Sequence, residues 1–112
     1  MVRVPISPKE KSLIFLSEII GKEEVEFFLK RKFLDIYDAK NDAFYRVWLN
    51  KKVQKICKGL NCYYVAWDGK IVEKNLPFFD SVGIFYIWVN HDPKKVDKYK
   101  ECGKIAFTHY PN

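Results

Sequence analysis

The fold of this chain depends on one stretch near its middle, residues 42–59, which reads DAFYRVWLNKKVQKICKG. At about 100° per residue, its apolar and basic side chains separate onto opposite sides of a helix. The apolar side would consist of Tyr45, Leu49, Val53, Ile56, Cys57 and, just beyond the stretch, Leu60. The opposite side would consist of Lys51, Lys55 and Lys58, with Lys52 at the boundary. Because Asn41 or Asp42 can cap such a helix and Gly59 can follow its end, the pattern predicts a helix over 42–58 with a basic side.

Two further helices are predicted ahead of this stretch. Ser7-Pro8-Lys9-Glu10 has the form of a capping box with proline at the first helical position. An apolar stripe at helical spacing follows, and Gly21 is expected to end the helix. The second helix is expected from about Glu23, with acidic residues near its start and basic residues near its end, as the helix dipole favours.

The second half of the chain is predicted to contain most of the strands. Residues 62–67 and 70–74 flank Asp68-Gly69, a pair favoured in two-residue hairpin turns. Residues 76–80 are expected to form a loop, and the apolar run 82–89 a strand covered on both faces. Asp92-Pro93 is expected to start a short basic helix that Gly103 ends, before a last strand over 104–110. The predicted fold is α+β: a three-helix unit packed on a small antiparallel sheet, with a C-terminal β-α-β extension.

Three helices followed by a hairpin resemble the winged helix-turn-helix family of DNA-binding domains. The resemblance covers residues 8–74 and depends on the helix over 42–58, on Gly59-Leu60 and on the hairpin at Asp68-Gly69. In that family the third helix enters the major groove and the hairpin contacts the neighbouring backbone or minor groove. The resemblance implies that lysines contact phosphates while Asn and Gln read base edges. The residues implied are Asn50, Lys51, Lys52, Gln54, Lys55, Lys58, Lys70 and Lys74.

Composition limits the class of protein. The 112 residues contain no linker or internal repeat, so we expect one domain over 1–112. Aromatic residues make up 17% of the chain, which excludes intrinsic disorder, and the net charge of +6 favours a polyanionic partner. No signal peptide is visible and no apolar run approaches the ~20 residues that span a bilayer, so we expect a cytoplasmic protein without a membrane partner. Richness in Lys and Glu indicates a thermophile.

Exposed aromatic residues suggest two other ways of binding. Aromatic rings among lysines could stack the bases of a single strand, and the candidates are Tyr63, Trp67, Phe78 and Phe79. Alternatively, the chain could be a protein-interaction module, an adaptor or an inhibitor, that uses apolar anchors, most of them aromatic, or it could form a homodimer. The anchors would be Phe44, Val47, Trp48, Phe78 and Phe79.

We expect no catalytic residue, no metal site and no cofactor. His91-Asp92-Pro93 is more typical of a strand end followed by a helix cap than of a catalytic base with its orienting acid. Cys57 and Cys62 form one pair, whereas zinc sites usually combine two. The sequence leaves open whether these two cysteines form a disulfide or remain reduced.

Overall fold

The computed structural model describes residues 7–101 and the backbone of residues 109–111. Within them, two helices lead into a run of antiparallel strands, and a third helix returns to pack against the first. The helices are α1 (Pro8–Ile20), α2 (Lys22–Arg31) and α3 (Phe78–His91), and a 3-10 helix spans Pro93–Tyr99. The strands are β1 (Phe33–Asp38), β2 (Ala43–Trp48), β3 (Lys52–Lys58), β4 (Cys62–Lys70) and β5 (His109–Pro111). The predicted α+β class is therefore confirmed.

The strands form one antiparallel sheet in the order β1-β2-β3-β4-β5. β1 pairs with β2 along its whole length, from Phe33 opposite Trp48 to Asp38 opposite Ala43. The pairing of β3 with β4 contains a register shift between Lys55 and Ile56, and β5 pairs with residues 62–64 of β4. The neighbours in the sheet are thus also neighbours in the sequence.

The first two helices lie where the sequence predicts them. Ser7 caps α1, because its Oγ accepts a hydrogen bond from the backbone N–H of Glu10 at 3.2 Å, and Pro8 follows at the first helical position. Gly21 separates α1 from α2 with a φ of 96°, a conformation that residues with a Cβ rarely adopt. Acidic residues begin α2 and basic residues end it, so the charges complement the helix dipole.

The predicted helix over residues 42–58 is wrong, because these residues form β2, a turn and β3. The period of burial is two: Ala43, Tyr45 and Val47 are buried, and the residues between them are half-buried. The aromatic and β-branched side chains of this stretch also favour strands. In the turn, the Oδ1 of Asn50 accepts a hydrogen bond from the backbone N–H of Lys52 at 3.0 Å. The element on which the winged-helix resemblance depended is therefore a hairpin.

The predicted turn at Asp68-Gly69 is also wrong, because β4 continues through both residues to Lys70. Gly69 meets a different requirement: a Cβ at this position would overlap the backbone carbonyl oxygen of Tyr99. Glycine inside a strand often marks such a close approach of another backbone. The predicted second strand of the hairpin, residues 70–74, lies almost entirely in the connection between β4 and α3.

The apolar segment 82–89 forms the centre of α3, which corrects the prediction of a strand there. Its buried residues recur at helical spacing, as Phe79, Val82, Phe85 and Val89 show. α3 is apolar around most of its circumference because it packs between α1, the sheet and the 3-10 helix. No helix in the described ranges is long and apolar enough to cross a bilayer. The predicted end of the last helix at Gly103, and residues 104–108 of the predicted last strand, lie outside the described residues.

The sheet has two different faces, which we call the covered face and the open face. α3 and the 3-10 helix pack on the covered face, where the ring of Tyr45 lies 5.6 Å from that of Phe85 in α3. The open face carries the alternate residues of β1 and β2, together with the residues of β3 and β4 that pair with them. The described ring contacts of the open face join only residues of that face.

Candidate functional site

Three aromatic rings lie side by side across the open face. Tyr37 on β1 contacts Phe44 on β2 at 5.8 Å between ring centroids, and Phe44 contacts Tyr63 on β4 at 5.7 Å. The three rings border a shallow cavity of about 250 Å³, whose other lining residues are Arg46 and Ile56. Tyr37 is 65% exposed, so solvent reaches this row of rings at the β1 edge.

Arg46 connects this row to a second pair of rings. Its guanidinium lies 4.3 Å from the centroid of Phe33 and 6.0 Å from that of Trp48, and those two centroids are 5.2 Å apart. Its Nε and Nη2 donate hydrogen bonds to the two carboxylate oxygens of Asp35, at 2.8 and 3.0 Å. A bidentate pair of this kind fixes the plane of the guanidinium. Arg46 is therefore held among rings while 23% of its side chain remains exposed.

A hydrogen-bonded chain crosses three strands and orients Trp48. The Nε1 of Trp48 donates to the Oε1 of Gln54 at 3.3 Å, and the Nε2 of Gln54 donates to the Oδ1 of Asp68 at 2.9 Å. Gln54 is buried, so its carboxamide must find partners inside the protein. Gln54 therefore positions an aromatic ring, which is a different task from the base reading predicted for it.

Lysines lie at both ends of β3 on the open face. Lys58 is the cross-strand partner of Tyr63 at one end, and Lys52 is the partner of Lys70 at the other. All three lysines are exposed. At ~3.3 Å per residue, the two ends of β3 are roughly 20 Å apart. The open face thus presents a band of rings with positive charge at either end.

The eight residues predicted to contact nucleic acid do not share a helix, which corrects the predicted basic helix surface. The open face holds Lys52, Gln54, Lys58 and Lys70. Lys55 lies on the covered face, where its Nζ is 5.8 Å from the centroid of the Tyr45 ring. Asn50 and Lys51 lie in the turn between β2 and β3, and Lys74 lies in the connection after β4. The structure brings Lys52 and Lys70 together as direct cross-strand partners.

The predicted apolar anchors separate into those packed in or against the core and those that lie on the open face. Val47 and Phe79 are 0% and 8% exposed in the core, which rules them out as surface anchors. Phe78 is half-buried, and its ring packs against those of Phe28 and Phe79. Trp67, predicted to stack bases, is buried on the covered face with its ring 5.9 Å from that of Tyr45.

The open face retains Phe44 and Trp48 from the predicted anchors and Tyr63 from the predicted stacking residues. The prediction missed four residues of this face, namely Phe33, Asp35, Tyr37 and Arg46. The missed signal was the aromatic and β-branched composition of residues 33–38 and 43–48, which favours strands, whose side chains alternate with a period of two. Two paired strands with that period place their alternate residues on one face.

A cluster of titratable groups lies on the covered side of the sheet, where Glu73 contacts Lys98 and Tyr99 of the 3-10 helix. The Oε1 of Glu73 accepts hydrogen bonds from the Tyr99 hydroxyl at 2.7 Å and from the Lys98 Nζ at 2.6 Å. The hydrogen bonds from Lys98 and Tyr99 hold the pKa of the Glu73 carboxyl below its usual value. Burial, together with the bond to Glu73, raises the pKa of the Tyr99 phenol, and burial likewise raises the pKa of Tyr45. The bonds of Glu73 with Lys98 and Tyr99 fasten the 3-10 helix to the connection that follows β4.

Comparison of the chain with protein-family models, with curated proteins and with solved structures found no match in any of the three. Cys57 carries a free thiol, so it forms no disulfide with Cys62. In the part of the chain that the structure describes, no three His, Cys, Asp or Glu residues are grouped so as to hold a metal ion. The evidence for a function therefore comes from the chemistry of the open face.

Proposed function

We propose that this protein binds single-stranded nucleic acid on the open face of its sheet. The observation that carries the proposal is the row of rings Tyr37, Phe44 and Tyr63, continued through Arg46 to Phe33 and Trp48. Aromatic side chains in a positively charged groove stack successive bases of a single strand, whatever their sequence.

The arrangement favours a single strand over a duplex. Stacking on a protein ring requires an unpaired base with an accessible flat side, which a duplex does not offer. The lysines predicted for a recognition helix lie instead on a sheet and in its turns. A strand of nucleic acid that crosses the open face would pass from Lys58 near Tyr63 towards Lys52 and Lys70.

Arg46 has a separate role in this proposal. Its guanidinium lies over the ring of Phe33, 4.3 Å from the centroid, and is paired with Asp35, so its position is set before any ligand arrives. A planar guanidinium can stack on a base and can also bond a phosphate. The lysines at the two ends of β3 would supply the charge that makes binding depend on salt.

The test is fluorescence anisotropy with a labelled single strand and the matching duplex, repeated over a salt series. Phe44→Ala is expected to weaken single-strand binding about tenfold, since stacking contributes ~1–3 kcal/mol per base. Tyr63→Ala should act in the same direction. Its matched control is Tyr64→Ala, because Tyr64 is the next residue of β4, is exposed and lies on the other face.

The outcomes are distinct. Loss of binding in the Phe44 and Tyr63 variants, with full binding in the Tyr64 variant, supports the open face as the site. Equal or tighter binding of the duplex contradicts the preference for single strands. A wild-type protein that binds neither form at low salt sinks the proposal.

A protein partner is the second candidate, and one observation favours it. β1 is an edge strand, and a groove of about 350 Å³ lies between it and the helices, lined in part by Glu24, Tyr86 and Asn90. Extended peptides bind such edges by adding a strand. Asn90→Arg, which places a long charged side chain in the groove, should abolish strand addition and leave oligonucleotide binding unchanged. The measurement is a pull-down followed by the same anisotropy assay.

A further inference from the structure

We infer that the lysine end of the open face anchors the phosphates that flank the stacked bases, so that the ligand is a strand continuing past Trp48. The lysine end is defined by residues from four separate segments of the chain. They are Lys32, Lys51, Lys52 and Lys70, together with Lys100 at the same end of the sheet, whose bridge partner Gly69 belongs to the covered face. The inference rests on the proposed function and extends it to the length and polyanionic character of the ligand.

Backbone contacts gather these lysines at one end of the sheet. The carbonyl of Lys32 accepts from the N–H of Leu49 at 3.0 Å, and that of Lys51 accepts from the N–H of Ile71 at 2.9 Å. Lys52 is the cross-strand partner of Lys70, and a backbone bridge joins Gly69 to Lys100. The gathering is thus a product of the fold, since these lysines come from separate stretches of sequence.

Two of the lysines occupy backbone conformations that suit glycine. Lys32 has a φ of 75° at the end of α2, and Lys51 has a φ of 76° in the turn after β2. Among the described residues, the other non-glycine residue with a positive φ is Asp42, of a type that tolerates this region better. Glycine or asparagine would relieve the strain at both positions. Strain of this kind is found where a side chain has a task beyond stability.

The electrostatics of the lysine end are also unfavourable for the protein alone. Lys52 and Lys70 place like charges directly opposite each other, an arrangement that destabilises a sheet. The ion pairs recorded among the described residues, Arg46–Asp35 and Lys98–Glu73, include none of the five lysines. All five are exposed. A bound phosphate chain would relieve this repulsion.

The lysine end lies beside the rings of Phe33 and Trp48, which places it next to the proposed stacking surface. Lys32 precedes Phe33, which is the cross-strand partner and ring contact of Trp48. A base stacked on Trp48 therefore brings its neighbouring phosphates to the lysine end. Strands too short to reach both the Tyr37–Phe44–Tyr63 row and the lysine end should bind weakly. We expect a steep gain in affinity at roughly four nucleotides or more, the lower bound of single-strand site sizes.

The decisive variant is the double substitution Lys32→Gly and Lys51→Gly. Glycine accepts both left-handed conformations, so the melting temperature should stay the same or rise. Affinity for a single strand should fall about tenfold at low salt. The slope of log affinity against log salt should decrease by about 1.4, since each lost phosphate contact on a single strand contributes ~0.7. The control is Lys94→Gln with Lys95→Gln, which removes the same charge from exposed positions of the 3-10 helix.

Each outcome decides the matter. An unchanged slope in a double-glycine variant of a protein that does bind overturns the inference and leaves the proposed function intact. An equal loss in the control pair overturns it too, because net charge alone would then explain the effect. Competition by inorganic polyphosphate as strong as that by the single strand overturns the inference, because the lysine end would then bind a phosphate chain without stacked bases. A wild-type protein that binds no single strand overturns the proposed function itself.

Discussion

The two faces of the sheet are built from similar residue types, yet their side chains are held in different ways. Tyr45 on the covered face is 1% exposed and packs between Phe85 and Trp67. Phe44, the preceding residue, lies on the open face and remains half-buried, with its ring between those of Tyr37 and Tyr63. Burial under helices holds the first ring, whereas neighbouring side chains hold the second.

The polar groups show the same difference. On the open face, Arg46 is bonded to Asp35, and Trp48 is bonded through Gln54 to Asp68. These hydrogen bonds lie between the rings and fix the orientation of Arg46 and Trp48. Rings that are rigid and accessible lose little conformational entropy when a ligand binds. The open face is thus organised before any ligand binds.

The largest effect is expected from substituting the two adjacent aromatic residues. Tyr45→Ala should lower the free energy of unfolding by about 4 kcal/mol, because it removes a fully buried ring from the core. Phe44→Ala should lower it by only about 1 kcal/mol, as is usual for partly exposed positions. Urea denaturation of both variants checks the contrast. Equal losses would mean that the open face is as much a core as the covered face.

A smaller effect is expected where the backbone of the 3-10 helix touches β4. Gly69→Ala should cost about 3 kcal/mol, since the new Cβ would overlap the rigid carbonyl of Tyr99. Gly83→Ala is the matched control, costing about 1.5 kcal/mol, because its Cβ would meet the side-chain ends of Phe15 and Ile19, which can shift. Thermal unfolding of both variants would show the order, and a harmless Gly69→Ala would disprove the close approach.

The third prediction concerns the ion pair between Arg46 and Asp35 on the open face. Asp35→Asn removes the charge that neutralises Arg46, so single-strand binding should become about threefold tighter, a gain of ~0.65 kcal/mol. The exposed pair contributes at most about 1 kcal/mol to stability, so the fold should persist. Anisotropy titration is the measurement. Weaker binding would mean that the pair acts by holding Arg46 in place.

The smallest effect concerns pH and the layer opposite the open face. Hydrogen bonds from Lys98 and Tyr99 lower the pKa of Glu73 below its usual value of 4.5. The stability that they contribute is therefore present above pH 4.5 and is lost as pH falls through the lower pKa of the folded state. Glu73→Gln should flatten this acid limb when melting temperature is followed from neutral into acid pH. If the melting temperature of the variant fell with pH as steeply as that of the wild type, other titratable groups would be responsible for the loss of stability in acid.

Part of the fold could be predicted because its signals are local. The Ser7 cap, Pro8 and Gly21 defined α1 and the start of α2, since capping depends on a few consecutive residues. The helix predicted over 42–58 was wrong because the apolar residues of this segment are compatible with both a helical and a strand period. The turn predicted at Asp68-Gly69 was wrong for a different reason. In the sequence, a glycine that is needed because the Tyr99 backbone approaches closely cannot be distinguished from a glycine in a turn.

The candidate site could be predicted only in pieces. Phe44, Trp48 and Tyr63 were identified one at a time, as parts of a helix or a hairpin, and so were Lys51, Lys52, Lys58 and Lys70. Lys32 and Lys100 were not among the predicted binding residues. Arg46, Asp35 and Tyr37 were missed because their importance comes from cross-strand pairing. Pairing is non-local, and a shift of one residue in register moves every side chain to the other face.

The α+β class, the first two helices and the positive charge could be predicted from the sequence alone. These follow from composition, caps and hydrophobic content, which need no knowledge of distant neighbours. Packing between distant segments determines which period the segment 42–58 follows, that the apolar run 82–89 is a helix, and which rings and lysines meet. Local propensities differ by about 1 kcal/mol or less per residue. Burial of a large side chain such as Tyr45 contributes several times that amount, so packing makes the final choice.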